Sequence, residues 1–233
     1  EIYMGDWSSD VCSSDLQYRL AMAYGWGGGY NNQIATKASI AAGRYSDKLP
    51  ARLRTLVRAY RLFQDGNPAA ADTMRAYLQQ QPDDPDALYL LGESMFHSRE
   101  IRPFPPESIQ APFERVLAID STLTPALIHP LELTLMYRDT VKYRRYFSLL
   151  RAAAEPDVVR TWAIAGQMMR ERPEAVSDSA LRIFLAGGGI SAIGPLMLGN
   201  ERMPDITPDE LAAFSARASQ IGPTTGAIGR AHV

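Results

Sequence analysis

Asp86, Glu93, His97 and Glu132 are the residues whose types and spacing could do chemistry in this chain. Two carboxylates such as Glu93 and Glu132 can divide acid and base work only when several ångströms apart in a sheltered cleft. On adjacent helices the expected outcome is instead a pair of solvated surface charges. His97 and His129 have no carboxylate pair evident beside them, so they read as packing or surface residues rather than metal ligands. Gly27, Gly28 and Gly29 invite a phosphate-loop reading. No strand precedes them and no Gly-Lys-Ser/Thr follows, so a plain loop is expected. No catalytic residue, metal site or cofactor is therefore predicted.

The elements that must position these side chains are helices. From Pro85 to His97, apolar residues fall at Leu88, Leu91, Met95 and Phe96, the spacing that puts one stripe on a helix. Asp83 and Asp84 before Pro85 supply an acidic cap and a proline at the first helical position. Gly92 lies inside the run and costs about 1 kcal/mol relative to alanine, which predicts close approach of a neighbouring helix. Ile109, Phe113, Val116 and Leu117 then mark a second amphipathic helix, stopping at Asp120-Ser121. Between the two, the loop holding Ile101 to Pro106 is expected to pack Phe104 over this hairpin. The same Pro-rich stretch could also serve as a polyproline ligand.

The pattern recurs. Trp162, Ala165, Gly166 and Met169 repeat the spacing of Leu88, Leu91, Gly92 and Met95, with Leu127 as the anchor between them. The anchors Leu88, Leu127 and Trp162 stand 39 and 35 residues apart. Second helices recur as Tyr143-x3-Phe147-x2-Leu150 and Ala70-x3-Met74-x2-Tyr77. These residues resemble the tetratricopeptide repeat, W-x2-L-G-x2-Y followed by A-x3-F, with a period of about 34 residues. Leucine stands in place of tryptophan, methionine in place of tyrosine, and the Ile101–Pro106 loop is about five residues too long for that repeat. The resemblance implies an all-α, right-handed solenoid of about five to six hairpins, fading toward the C-terminus.

Both ends read as foreign to the fold. Asp6 to Leu16, DWSSDVCSSDL, is similar to one translated frame of a common sequencing adapter, and Ile228 to Val233 to its reverse complement. Residues 1–16 and 228–233 are accordingly set aside as adapter-derived and without a fold. Residues 17–186 are assigned to the repeat array and 187–227 to a C-terminal helical cap and tail. Without Glu1, Asp6, Asp10, Asp15 and Arg230, the chain has 23 basic and 22 acidic residues. That near-neutral balance gives no support for nucleic-acid binding or an anionic membrane. Cys12, the one cysteine, lies in the adapter-like stretch, which excludes disulfides and thiol chemistry from the rest. No apolar run approaches the roughly 18 residues of a membrane span. The expectation is a soluble segment without membrane insertion whose natural N-terminus is missing, so the compartment is left open, with the cytoplasm slightly favoured.

Along the remaining chain, Tyr18–Trp26 reads as a helix, and Asn32–Tyr45 as a second with Ala35, Ala38 and Ala42 inward. Ala51–Phe63 is the next, with Leu53, Leu56, Ala59, Tyr60 and Phe63 inward and a basic face of Arg52, Arg54, Arg58 and Arg61 expected to be solvated. Asp65-Gly-Asn-Pro68 is a turn in which glycine supplies the left-handed cap and proline opens the following helix. Pro130 is expected to kink its helix. Further helices are expected over Glu174–Leu185, Ile190–Leu198 and from the Thr207–Glu210 capping box onward. No segment alternates as a strand should.

Stacked hairpins expose a concave surface lined by their first helices. Projection places Asp86, Tyr89, Glu93, Phe96 and His97 on it, then Ile128, Glu132 and Leu135, then Arg160, Gln167 and Arg170. The groove lacks the lysine and asparagine set that clamps a C-terminal carboxylate in some such domains. The segments ALYLLGESMFH, FERVLAID and PALIHPLEL are similar to tetratricopeptide regions attached to bacterial serine/threonine protein kinases or winged-helix regulators. That resemblance implies a non-catalytic docking or sensor region with a protein or peptide partner. The alternative is an all-α enzyme or solute-binding domain with its pocket inside the superhelix.

Overall fold

In the computed structural model, residues 9–28, 32–171, 175–186 and 208–221 are described. Every regular element among them is helical. The chain divides at Ile119/Asp120 into two compact units. The break falls at the polar Asp120-Ser121 stop.

In the first unit, α1 (Ser9–Gly28) and α2 (Gln33–Gly43) are followed by a 3-10 turn at Ser46–Lys48. Then come α3 (Ala51–Gln64), α4 (Ala69–Leu78), α5 (Pro85–His97) and α6 (Pro106–Ile119). Each helix packs on the next, and α3 also touches α5. The core is built on Tyr18, Leu56, Met74, Leu88, Ile109 and Phe113, all fully buried. Asn32 caps α2 by accepting from the backbone N–H of Ile34 and Ala35, and the alanines at 35, 38 and 42 are buried as expected. Tyr60 donates to the Ala21 carbonyl at 2.9 Å, which ties α3 to α1.

Helix α1 begins at Ser9, inside the stretch set aside as adapter-derived, and runs through Gly27 and Gly28. Its first described side chains are inverted in polarity. Ser14 is buried with an unpartnered hydroxyl among the described residues, while Leu16 is 66% exposed. Helical continuation satisfies the backbone of this turn without its side chains fitting the core.

The second unit holds α7 (Pro125–Met136), α8 (Thr140–Ala153), α9 (Pro156–Glu171), α10 (Asp178–Ala186) and α11 (Pro208–Ile221). Each described pair of neighbours packs together, and α7 also touches α9. Leu127, Leu131, Leu133, Tyr146 and Phe184 are its largest fully buried side chains. Helix α7 is continuous through Pro130. The helix expected from Glu174 starts at Asp178, while Ile190–Leu198 and Thr207 lie outside the described residues.

The same loop closes one hairpin in each unit. After α3, Gly66 has φ 67°, the Asn67 N–H bonds the Leu62 carbonyl and the Gly66 N–H bonds the Phe63 carbonyl. After α7, Arg138 has φ 51°, the Asp139 N–H bonds Thr134 and the Arg138 N–H bonds Leu135. Both are Schellman caps, but only the first has the glycine that this backbone favours. Arg138→Gly is therefore expected to raise stability by about 0.5–1 kcal/mol, relief of left-handed strain outweighing the added unfolded-state entropy. A urea midpoint measured against Arg138→Ala, which keeps the strain, checks it.

Candidate functional site

Each carboxylate singled out in the sequence has a partner of its own. The backbone-capping position of α5 is Asp84, whose side chain is only 6% exposed. It receives Arg52 Nε at 2.7 Å and Nη2 at 2.8 Å, and the Tyr77 hydroxyl at 2.8 Å. It also accepts from the backbone N–H of Asp86 and Ala87. Arg52 Nη2 reaches on to Asp86 at 2.8 Å. Arg52 thus belongs to an internal network, not to the solvated basic face expected of α3. Burial pushes the Asp84 carboxyl up, but Arg52, Tyr77 and the backbone offset this and hold it below its ordinary value. Hydrogen bonding to Asp84 raises Arg52, and burial together with its own hydrogen bond to Asp84 raises the Tyr77 phenol. An open cleft beside the network is walled by Arg52, Tyr77, Gln81 and the Pro82–Pro85 turn.

On the next turns of α5, His97 Nε2 lies 3.7 Å from Glu93 Oε2. Its ring meets Phe63 and Phe96 edge-on, with centroids 5.6 and 5.3 Å away. Arg99 covers the other ring, its guanidinium 4.1 Å from the Phe96 centroid. In the second unit, His129 Nδ1 sits 2.5 Å from Glu132 Oε2, a hydrogen-bonded pair one helical turn apart. Each histidine thus has one carboxylate a helical turn away on its own helix. The spacings His97–Glu93 (i, i+4) and His129–Glu132 (i, i+3) were the available signal. Glu93 and Glu132 belong to different units.

Burial corrects the expected binding face. Tyr89, Phe96, Glu132 and Leu135 are 6%, 4%, 4% and 0% exposed. None of them can line an open surface. Helix α5 buries eight of its thirteen residues and α7 eight of twelve, so neither has the single narrow apolar stripe assumed. Asp86, Glu93, His97, Ile128 and Gln167 are half-buried, and Arg160 and Arg170 are exposed. Asp157 holds Arg160, and Gln167 donates to Glu171 at 2.8 Å.

The long loop is also tied to the preceding hairpin. Phe104 lies between the guanidiniums of Arg75 and Arg102, 5.1 and 5.3 Å from the ring centroid. Asp72 pairs with both arginines, which ties the ring to α4 of the preceding hairpin. Exposed cation–π contacts contribute about 0.5–1 kcal/mol each. Phe104→Ala is expected to lower stability by about 1–2 kcal/mol and Phe104→Leu by about half that, read from thermal or urea unfolding. An unchanged midpoint in the alanine variant would show the ring to be idle.

Among the described residues, no helix is long and apolar enough to cross a membrane. Comparison with known protein families, curated proteins and solved structures finds no match to this chain.

Proposed function

We propose that the chain is a non-catalytic helical-repeat scaffold for a protein or peptide partner, serving as the docking region of a larger bacterial signalling protein. The observation that carries this reading is recurrence. The α3–α4 and α7–α8 hairpins close with the same Schellman loop at Gly66 and Arg138. These positions are separated by two periods of about 34 residues plus the long α5–α6 loop. First helices touch within each unit, α3 with α5 and α7 with α9. Repeated hairpins of this kind build extended surfaces for macromolecules. The internal pairing of Asp86 with Arg52 and of Glu132 with His129 adds support, since it leaves those carboxylates committed rather than poised.

The test has two arms. Reading the source locus through both adapter-like ends is expected to continue the frame into a kinase or DNA-binding domain. Crosslinking with the full chain as bait is expected to recover a protein partner in stoichiometric amount. A purified chain that turned over a small molecule, and lost that turnover in Glu132→Gln, would overturn the reading in favour of an all-α enzyme.

A further inference from the structure

The near-neutral balance of the chain hides an uneven distribution. Residues 33–64 carry seven basic side chains and one acidic, Asp47, which leaves 16 basic and 21 acidic elsewhere outside the adapter-like ends. Two of the seven are engaged inside the fold, Arg52 by Asp84 and Asp86 and Arg61 by Asp65. The other five, Lys37, Arg44, Lys48, Arg54 and Arg58, are all exposed.

These five follow one continuous strip. On α2, Ile34, Lys37, Ile40 and Arg44 fall within about 120° of one another around the axis, opposite the buried Ala35, Ala38 and Ala42. The strip turns at the 3-10 segment, where Lys48 Nζ lies 5.2 Å from the centroid of the Tyr45 ring. Arg54 donates to the Asp47 carbonyl at 3.2 Å, which brings the first turn of α3 beside that segment. Arg58 follows one helical turn on. With the exposed Asp47 counted, the strip sums to four positive charges. Apolar side chains are set between the cations: Ile34, Ile40 and Tyr45 are 48%, 45% and 40% exposed.

We infer that this face of α2 and α3 settles on an anionic lipid surface. The isoleucines and Tyr45 enter the headgroup layer while the five cations meet lipid phosphates and carboxylates. Such contact needs no spanning helix, and it goes beyond the scaffold reading, which it neither requires nor excludes. A lipid surface fits this strip better than a polyanion in solution. Nucleic acid would satisfy the cations and leave both isoleucines against water, whereas the headgroup boundary accepts both kinds of side chain. An acidic protein would need carboxylates fixed to match cations on two helices and a turn. Headgroups diffuse in the plane and take up whatever spacing the cations present.

The experiment is flotation of the full chain with vesicles of phosphatidylcholine, made with and without phosphatidylserine. A short DNA duplex and polyglutamate are added as competitors at equal concentration of charge. The chain is expected to float with the phosphatidylserine vesicles alone, less so as salt rises, with neither competitor displacing it. Lys37→Glu/Arg44→Glu/Arg58→Glu should weaken vesicle binding at least about tenfold. Ile34→Ser/Ile40→Ser, which leaves the charge alone, should weaken it at least about threefold. Glutamine at the same three basic positions covers the case in which charge reversal disturbs folding, judged by circular dichroism. Arg144→Glu/Arg145→Glu/Arg151→Glu makes the same change in net charge on another exposed helix face and should float as the parent does. Equal weakening in both triples would reduce the effect to net charge and overturn the inference. Unchanged flotation of the isoleucine variant, or displacement by the duplex or polyglutamate, would overturn the lipid assignment. A chain that never floats overturns it outright, while a crosslinked protein partner would still leave the scaffold reading standing.

Discussion

Gly92→Ala is expected to lower stability by about 1–3 kcal/mol, although alanine is the better helix former by about 1 kcal/mol. A Cβ at this position would lie 2.5 Å from Cε2 and 2.6 Å from Cζ of Phe113. The ring cannot withdraw, because Phe113 is fully buried and meets Tyr89 edge-on with centroids 5.8 Å apart. Either α5 and α6 separate or the ring leaves its rotamer, and both lose contacts through a close-packed core. The gain in helix propensity is smaller than that loss. Urea unfolding of Gly92→Ala, Phe113→Leu and the double variant checks it, since the smaller side chain should absorb most of the clash. Additive effects in the double variant would show that the two residues do not collide.

The second large effect is at Asp84. Asp84→Ala removes the α5 cap and at once deprives Arg52 and Tyr77 of their acceptor. Loss of a cap costs about 1 kcal/mol. The ion pair adds to this, but Arg52 is 41% exposed and solvent recovers part of its interaction. The expected total is about 2–4 kcal/mol, with Asp84→Asn less harmful because asparagine still caps. The pH dependence follows from the lowered carboxyl of Asp84. A group held below its unfolded value contributes fully above that value and loses the contribution as pH falls through the folded one. The parent should therefore lose stability on acidification below its ordinary carboxylate range, and Asp84→Ala should lose less over the same interval. Parallel acid titrations of the two proteins would contradict this.

The same residue shows what could be read in advance. Asp84 and Pro85 announce the start of α5 through signals within two residues of each other, and the helix begins there. Asp65-Gly66-Asn67-Pro68 likewise specifies a left-handed cap locally, and Gly66 adopts it. Gly92 signals a close approach without naming the neighbour, and the neighbour differs from one glycine to the next. A Cβ at Gly92 would meet Phe113 of the helix that follows, whereas one at Gly166 would meet Tyr143 of the helix that precedes, each at 2.5 Å. Register along a helix fixes which side is small, while packing decides what fills it. Arg52 was misread because its partners Asp84 and Asp86 lie 32 and 34 residues away. That separation matches the 34 residues from the start of α3 at Ala51 to the start of α5 at Pro85, so the clue lay in the spacing between helices rather than within one. Tyr89, Phe96, Glu132 and Leu135 were misplaced for another reason. A helix flanked by several neighbours is buried well beyond one stripe, and the number of neighbours is not written in its own residues.

The turn from Pro82 to Asp84 joins one hairpin to the next. Arg52 of α3 holds it from one side through Asp84, and Arg115 of α6 from the other, bonding the Pro82 carbonyl and, at 3.0 Å, Asp83. A joint fastened on both flanks resists torsion as well as extension. Under tension, the hairpins α3–α4 and α5–α6 share a load as one stiff lever, and strain passes to joints without such fastening.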